Sequence, residues 1–417
     1  MTKIDKTELA RLNMDRDFVP IILGSDTNVY GVASSFHQAY GMDSIALAKT
    51  HQIYTNNLPF LKVHAFDNFD KTEVFVESLN NFAKRDEVKG KKLLLIPCSD
   101  YYAALVIQTK EKLDKAYLIN VIDEDLRIKL ENKKDFYETC DTYGFKYPKT
   151  FLISQDNYTN FELPFEFPVI AKPNDSIKYY NVSFEGYKKA YKVESKEELL
   201  EILNKVYSSG YDDYFIIQDF IPGSFDAMYV VNAYCDKQGK VVMTSAARCA
   251  LDECLPNDIG NYNALITGDY PVLTDAVKEF LENINYHGFA NFDFKFDSRS
   301  NTFNVFEMNL RQGRSSYYMT VAGNNFVTYM VNDMIKDEDQ TYYNHVKEHL
   351  WYYTAKSVLK KHCPDLLSEK INELFRKQEA TFSLSYFSNR NLARFLLCLR
   401  RKISTIKYYP IYFKKED

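Results

Sequence analysis

The segment Phe289-Ala-Asn-Phe-Asp-Phe-Lys-Phe296 alternates strictly, with Asn291, Asp293 and Lys295 on one side and Ala290, Phe292, Phe294 and Phe296 on the other. That two-residue period belongs to a β-strand, so the aromatic side packs into a core and the polar row must face something else. The run Asp297-Ser-Arg-Ser-Asn301 supplies a turn, and Thr302 to Asn309 resumes the period with Glu307 and Asn309 on one side. Symmetric pairing about the turn sets Asp293 opposite Glu307. Two carboxylates side by side repel, and beyond Lys295 a bound cation resolves the conflict. Magnesium suits such oxygen ligands, because it is usually held by one or two carboxylates together with substrate phosphates. Asp293, Glu307 and Asn309 are therefore the candidate metal ligands, for one or two Mg2+ ions, with Mn2+ as an alternative. The competing reading is a solvated strand face on which Lys295 pairs one acid.

Asn309 leads straight into Leu310-Arg-Gln-Gly-Arg-Ser-Ser316. Arg311 and Arg314 can clamp phosphate or carboxylate oxygens, Gly313 lets backbone approach, and Ser315 and Ser316 open a helix whose N-terminus favours an anion. A helix cap with surface arginines is the plainer alternative.

Upstream, Phe18-Val-Pro-Ile-Ile-Leu23 is a continuous apolar run closed by Gly24-Ser-Asp-Thr-Asn28, which predicts a buried strand, a turn and a helix from about Val29 to Tyr40. Lys92 to Pro97 repeats the pattern before Cys98-Ser-Asp100. Strand, turn, helix, strand predicts a parallel α/β domain, whose ligands gather beyond the carboxyl ends of the strands. Gly24 to Asn28 and Ser99 to Tyr102 stand there, with Gly24, Asp26 and Asn28 as candidate substrate contacts and a pair of ordinary βα turns as the competing reading. A helix over Glu124 to Tyr143, a strand over Phe165 to Lys172, a helix over Lys196 to Ser208 and a strand over Tyr214 to Asp219 predict a small α+β unit, and further strands follow to Asn309. At 417 residues the chain is long enough for several units. The expected domains are 1–125 (α/β, substrate-binding), 126–215 (small subdomain), 216–345 (large subdomain with the metal ligands) and 346–417 (a helical, basic and aromatic extension).

The net charge of −5 offers nucleic acid no overall attraction, so none is expected as a partner. Seven cysteines, odd in number and never spaced C-x-x-C, argue against a zinc site or a disulfide framework. The polar start MTKIDKTELARLNMDRDF and the lack of eighteen consecutive apolar residues point to the cytoplasm. One local basic stretch remains: Arg390 to Lys415 carries no acidic residue, and Arg394, Arg400, Arg401, Lys402, Lys407 and Lys414 alternate there with aromatics. It is a candidate for weak contact with the inner face of a membrane, set against a solvated terminal helix.

The order of these parts resembles the ATP-grasp superfamily, whose last two strands supply an acidic residue and then Glu-x-Asn followed by arginine, here Asp293, Glu307-Met-Asn309 and Arg311. The resemblance implies an α/β and α+β ATP-grasp fold behind an N-terminal parallel α/β domain. It also implies that Lys133, and Lys172 in Val169-Ile-Ala-Lys-Pro173, hold ATP phosphates, Lys172 and Arg311 acting in catalysis. Gln218-Asp-Phe-Ile221 matches the strand that meets adenine, where backbone at Phe220 and Ile221 bonds the base and Asp219 the ribose. A lid from Asn174 to Lys189 would grip phosphate through Ser176, Ser183, Lys188 or Lys189.

The likeness narrows to the bacterial D-aspartate ligases of peptidoglycan synthesis. It is carried by Pro20 to Gly31, Phe36 to Gly41, Phe136 to Glu138, Tyr147 to Thr150, Gln218 to Gly223, Ile259 to Tyr262, Gly288 to Asp293 and Asn309 to Ser316. It implies an ATP- and magnesium-dependent ligase that joins the β-carboxylate of D-aspartate to the lysine ε-amine of a UDP-linked pentapeptide precursor. Where that family tends to carry arginine, this chain has Ser34, Tyr187 and Tyr229. A different small carboxylate or D-amino acid, or a nucleotide-binding protein without ligase activity, are the alternatives.

Overall fold

Five short apolar segments build the first sheet: β1 (Phe18–Leu23), β2 (Ser44–Ala48), β3 (Leu61–Ala65), β4 (Lys92–Pro97) and β5 (Tyr117–Leu118). The computed structural model describes residues 17–256 and 258–413, without the side chains of 176 and 177. All pairings in this sheet are parallel, in the order β3-β2-β1-β4-β5. Strand order reverses between β1 and β4, and the crevice beyond their carboxyl ends is where such a sheet receives a ligand. The following helix, Thr27–Tyr40, starts two residues before the sequence expectation, because the Asp26 carboxylate caps it by accepting from the Asn28 and Val29 amides at 3.0 and 3.3 Å. Gly41 closes it with φ 61°.

A second sheet holds β6 (Thr150–Ile153), β7 (Val169–Pro173), β8 (Tyr191–Val193) and β9 (Phe215–Asp219), antiparallel throughout in the order β6-β9-β7-β8. Val169, Ala171, Phe215 and Ile217 meet the Leu199 and Leu203 side of the Lys196–Ser208 helix in its core. The helix expected over 124–143 is two helices, Glu124–Glu131 and Lys133–Thr142. Asn132 divides them, since its side chain accepts from the Asp135 amide and caps the second.

The largest sheet runs β14-β13-β10-β11-β12-β16-β17, with β15 pairing β11. Its strands are β10 (Met228–Cys235), β11 (Val241–Asp252), β12 (Tyr262–Thr267), β13 (Gly288–Asp297), β14 (Thr302–Asn309), β15 (Tyr343–His345), β16 (His349–Tyr352) and β17 (Ala380–Phe382). Gly288 is obligatory at the start of β13: its φ is +85°, and a Cβ there would run into the Asn120 carbonyl oxygen.

The described residues fold into two compact units, one drawn from 1–124, 224–293 and 309–417 and one from 125–223 and 294–308. The division falls within the β13–β14 hairpin, after Asp293 and before Asn309. In the larger unit the Thr27–Tyr40 helix sinks into one aromatic core with Tyr317 and Tyr318. Gly31 makes that approach feasible, since a Cβ would lie 2.9 Å from the Tyr317 Cβ.

Candidate functional site

In the smaller unit, Lys133 opens the Lys133–Thr142 helix and Lys172 lies on β7, both half-buried. Burial lowers both pKa values to about 8; for Lys133 the positive charge of Lys172 lowers it further, while Glu307 pulls each back up. Two lysines near enough to sense each other, with one acid between their fields, form a concentrated positive site. The Lys172 Nζ donates to Tyr137 Oη at 3.3 Å and sits 6.0 Å from the Tyr137 and Phe306 ring centroids, so an aromatic wall fixes its position. The Lys133 Nζ donates to the Asn174 carbonyl at 3.4 Å.

On β9, Gln218 is fully buried and its Nε2 donates to Thr150 Oγ1 at 2.9 Å. Asp219 is gripped by Arg299 through two bonds of 3.2 and 2.8 Å. Lys192 and Lys295 stand over the Phe220 ring at 4.8 and 5.2 Å, and Ile221 is buried. Lys188 is exposed, its amide bonded to Tyr191 Oη at 2.9 Å. The side chain of Ser176 lies outside the described residues, as does Lys414 of the basic tail.

In the larger unit, Asp293 is half-buried on β13 and accepts a 2.6 Å bond from Tyr262 Oη. Its charge, after burial, holds the Tyr262 hydroxyl well above the ordinary phenol range, so this tyrosine is a proton donor only. The Asn309 Nδ2 donates to Asn291 Oδ1 at 3.0 Å, which turns the Asn309 amide oxygen away from its neighbour. An oriented carboxylate and an oriented amide oxygen are ligands of the kind a hard cation takes. Glu307, on β14, is exposed. Among the described residues no group of three or more His, Cys, Asp or Glu forms a metal cluster. Asn291, on the polar side of β13, is itself buried beneath the loop after Asn309: a Cβ on Gly313 would lie 2.8 Å from its Nδ2.

That loop closes on the crevice of the first sheet. Asn28 Nδ2 donates to the Cys98 carbonyl at 3.0 Å and Ser316 Oγ meets its Oδ1 at 3.5 Å. Gln312 Nε2 donates to the Pro97 carbonyl at 3.1 Å, and the Gly313 amide to Asn232 Oδ1 at 2.8 Å. Arg314 Nε donates to Thr27 Oγ1 at 3.1 Å, and Arg311 pairs Asp100 at 2.8 Å while its buried Nε has no hydrogen-bond partner among the described residues. Asp26 faces both arginines; burial raises its carboxyl above the usual range while Arg314 and Arg311 hold it down. Gly24 adopts φ +122° at the end of β1, a region open to glycine. Ser315 is buried, and the helix it was expected to open starts at Tyr317 and lasts five residues.

No family model matches the chain. Over 414 residues, 97% of this chain and 98% of the relative, it is 38% identical to the D-aspartate ligase of Enterococcus faecium. The chain belongs to the D-aspartate ligase family. It is thereby an ATP-dependent carboxylate–amine ligase. Solved structures of the ATP-grasp fold match the architecture at low identity. The L-amino acid ligase of Bacillus licheniformis has a TM-score of 0.54 and 13% identity, over 77% of this chain and 75% of that one. N5-carboxyaminoimidazole synthetase of Staphylococcus aureus has a TM-score of 0.57 and 14% identity, over 85% and 86%. The biotin carboxylase domain of Hydrogenobacter thermophilus 2-oxoglutarate carboxylase, solved with MgADP, has a TM-score of 0.54 and 12% identity, over 79% and 72%.

Within this D-aspartate ligase family member, the supporting residues were harder to anticipate than the charged ones. Tyr262 lay in a stretch that carried the family resemblance, yet nothing in its spacing tied it to Asp293. Arg299 sat in a turn, where a surface role is the default. Gln312 and Thr27 flank recognised positions, and only the fold brings them onto the crevice.

Proposed function

We propose that this chain joins the β-carboxylate of D-aspartate to the lysine ε-amine of a UDP-linked pentapeptide cell-wall precursor, in the cytoplasm, through an acyl phosphate. Family membership supports the reaction class, and the name of the Enterococcus relative supports the acid. The observation that carries the reading is the placement of Lys133 and Lys172, both half-buried in the smaller unit and held by the Asn174 carbonyl and the Tyr137 hydroxyl, since two such cations are suited to the oxygens of a triphosphate.

Lys133 and Lys172 bind the phosphates of ATP, Gln218 to Ile221 hold the base and Asp219 the ribose, and Ser176 or Lys188 steadies the phosphates from outside. Asp293, Glu307 and Asn309 hold one or two Mg2+ ions, a role Mn2+ can fill. The metal offsets the charge that builds on the transferred phosphoryl group. The γ-phosphoryl group moves from ADP oxygen to a carboxylate oxygen of D-aspartate, with Arg311 countering the transferring charge. The amine nitrogen then attacks the acyl carbon, phosphate leaves with the bonding electrons of the C–O bond, and the nitrogen loses a proton. Asp26 and Arg314, opposite charges at one crevice, are matched to the ammonium and carboxylate of an amino acid, beside Gly24, Asn28, Gly313 and Ser315.

The second reading replaces D-aspartate by another small acid, and the arginines missing at Ser34, Tyr187 and Tyr229 favour it. Against it, Arg248 stands directly across β10–β11 from Tyr229, and the Arg394 guanidinium lies 4.8 Å above the Tyr30 ring, one helical turn from Ser34. Two guanidinium groups therefore remain near two of the three positions. ADP release measured with D-aspartate, L-aspartate, D-asparagine and other amino acids, with and without a lysine-containing precursor, separates these readings. Turnover requiring both D-aspartate and precursor is expected. Turnover with a different acid and none with D-aspartate replaces the substrate, and normal magnesium-dependent turnover in Glu307→Gln removes the metal assignment.

A further inference from the structure

The helix Leu392–Tyr412 faces the wrong way round for a part of a water-soluble core. Its inner side carries Arg394, Cys398, Thr405 and Tyr409, all buried. Its outer side carries Leu392, Phe395, Leu396, Leu399, Ile403 and Ile406, each 43 to 73% exposed. At 3.6 residues per turn these six fall within an arc of about 100°, a continuous apolar stripe along more than three turns.

Polar contacts hold the helix in this orientation together with the burial of Cys398, Tyr408 and Tyr409 in the apolar clusters. Arg394 Nη1 donates to the carbonyls of Tyr54 and Asn56 at 2.7 and 3.3 Å. Thr405 Oγ1 accepts from the Ala355 amide at 3.0 Å, and Tyr409 Oη accepts from Asn263 Nδ2 at 2.7 Å. Arg401 pairs Glu253 at 2.9 Å. The stripe is thus presented outward by specific bonds on the opposite side, and a contiguous apolar face of this length on a folded protein marks an interaction surface.

Charge selects the occupant. Arg390, Arg400 and Lys407 are exposed around the stripe, and no acidic residue occurs from Arg390 through Phe413. Two copies meeting through this face would oppose cation to cation, whereas an anionic surface complements it. No helix among the described residues is long and apolar enough to cross a membrane. We propose that the Leu392–Tyr412 helix lies flat in the interface of an anionic lipid bilayer, with its apolar row at the acyl boundary and its flanking cations among the phosphates.

The full chain should co-sediment with vesicles of phosphatidylcholine and phosphatidylglycerol, less in high salt and less with phosphatidylcholine alone. Phe395→Asp with Leu399→Asp should weaken that binding at least about tenfold, and Arg400→Gln with Lys407→Gln should remove its salt dependence. These side chains face outward, so unchanged circular dichroism and unchanged ADP release in solution show that the variants are folded. Failure of the unaltered chain to bind the anionic vesicles overturns the proposal, as does equal binding by the aspartate variant. A concentration-dependent dimer in light scattering that the aspartate variant abolishes also overturns it, because the stripe then belongs to a second copy.

Discussion

Tyr262 Oη donates a 2.6 Å hydrogen bond to Asp293 Oδ1, joining β12 to β13 across the two strands that lie between them in the sheet order. A hydroxyl held well above the ordinary phenol range stays protonated and fixes one carboxylate oxygen while aiming the other, which is the part a supporting residue would play for the proposed metal ligand Asp293. Tyr262→Phe should leave the fold intact and raise the magnesium concentration needed for half-maximal ADP release about tenfold, with activity recovered at saturating metal. An unchanged magnesium titration would show that Asp293 needs no such orientation.

With Lys133 and Lys172 on the ATP phosphates, as proposed above, ATP binding should depend on pH in a defined direction. Lys133 and Lys172 keep their protons below about pH 8 and lose them in the free protein as pH rises from there toward the ordinary lysine value of 10.5. ATP favours the charged forms, so its affinity should fall across that window, and binding near pH 8 to 9 should take up protons. Calorimetry in buffers of different ionisation enthalpy measures that uptake, and Lys172→Met should reduce it. Stability runs the other way. Because both groups bind protons more weakly folded than unfolded, the cost of burying their charge is fully present below about pH 8 and is relieved as pH climbs toward 10.5.

Asp219 and Arg299 offer a test of the nucleotide contact proposed above. Arg299 also bonds Asp297, and its side chain is 46% exposed, so the cluster contributes little to stability, about 1 kcal/mol or less for an exposed pair. Its value lies in orienting the Asp219 carboxylate. Arg299→Gln should raise the KM for ATP about threefold to tenfold with kcat nearly unchanged, which steady-state kinetics at saturating acid and acceptor will show. A fall in kcat alone would move Arg299 from nucleotide positioning to the chemical step.

The sequence was most informative where periodicity and charge spoke together. The alternation from Phe289 to Phe296 and the apolar runs at Phe18 and Lys92 made three sheet strands legible, because a strand's period or a buried strand's continuity survives in the bare order of residues. The side of β13 that carries Asp293 was legible for the same reason, whereas the burial of Asn291 was not, since it depends on Gly313 coming over from the loop beyond β14. The break at Asn132 was missed because the flanking pattern is helical on both sides and only the cap bond marks the division. The tail composition disclosed its cations and aromatics. It did not disclose that Arg394 is buried while Phe395 and Leu396 are exposed, an inversion that polar partners on the 54–56 loop impose.

The Arg401–Glu253 pair tests how firmly those polar partners hold the terminal helix. Arg401 is 11% exposed and Glu253 4%, and the Glu253 carboxylate also accepts from Tyr408 Oη at 2.9 Å and from the Cys254 amide at 2.9 Å. Arg401→Met leaves that carboxylate enclosed with its dipolar partners but without its counter-charge, at a cost of about 3 kcal/mol, the lower end for breaking a buried pair. Glu253→Gln alone should cost a similar amount by stranding the guanidinium, which also gives up a bond at 2.9 Å. The double variant should cost clearly less than the two singles added together, because neither charge is then left unpaired. Urea denaturation of the four proteins measures the cycle. Additive losses would mean that Arg401 is held mainly by its stacking on Tyr353, 4.2 Å from the ring centroid, and that the ion pair contributes nothing of its own.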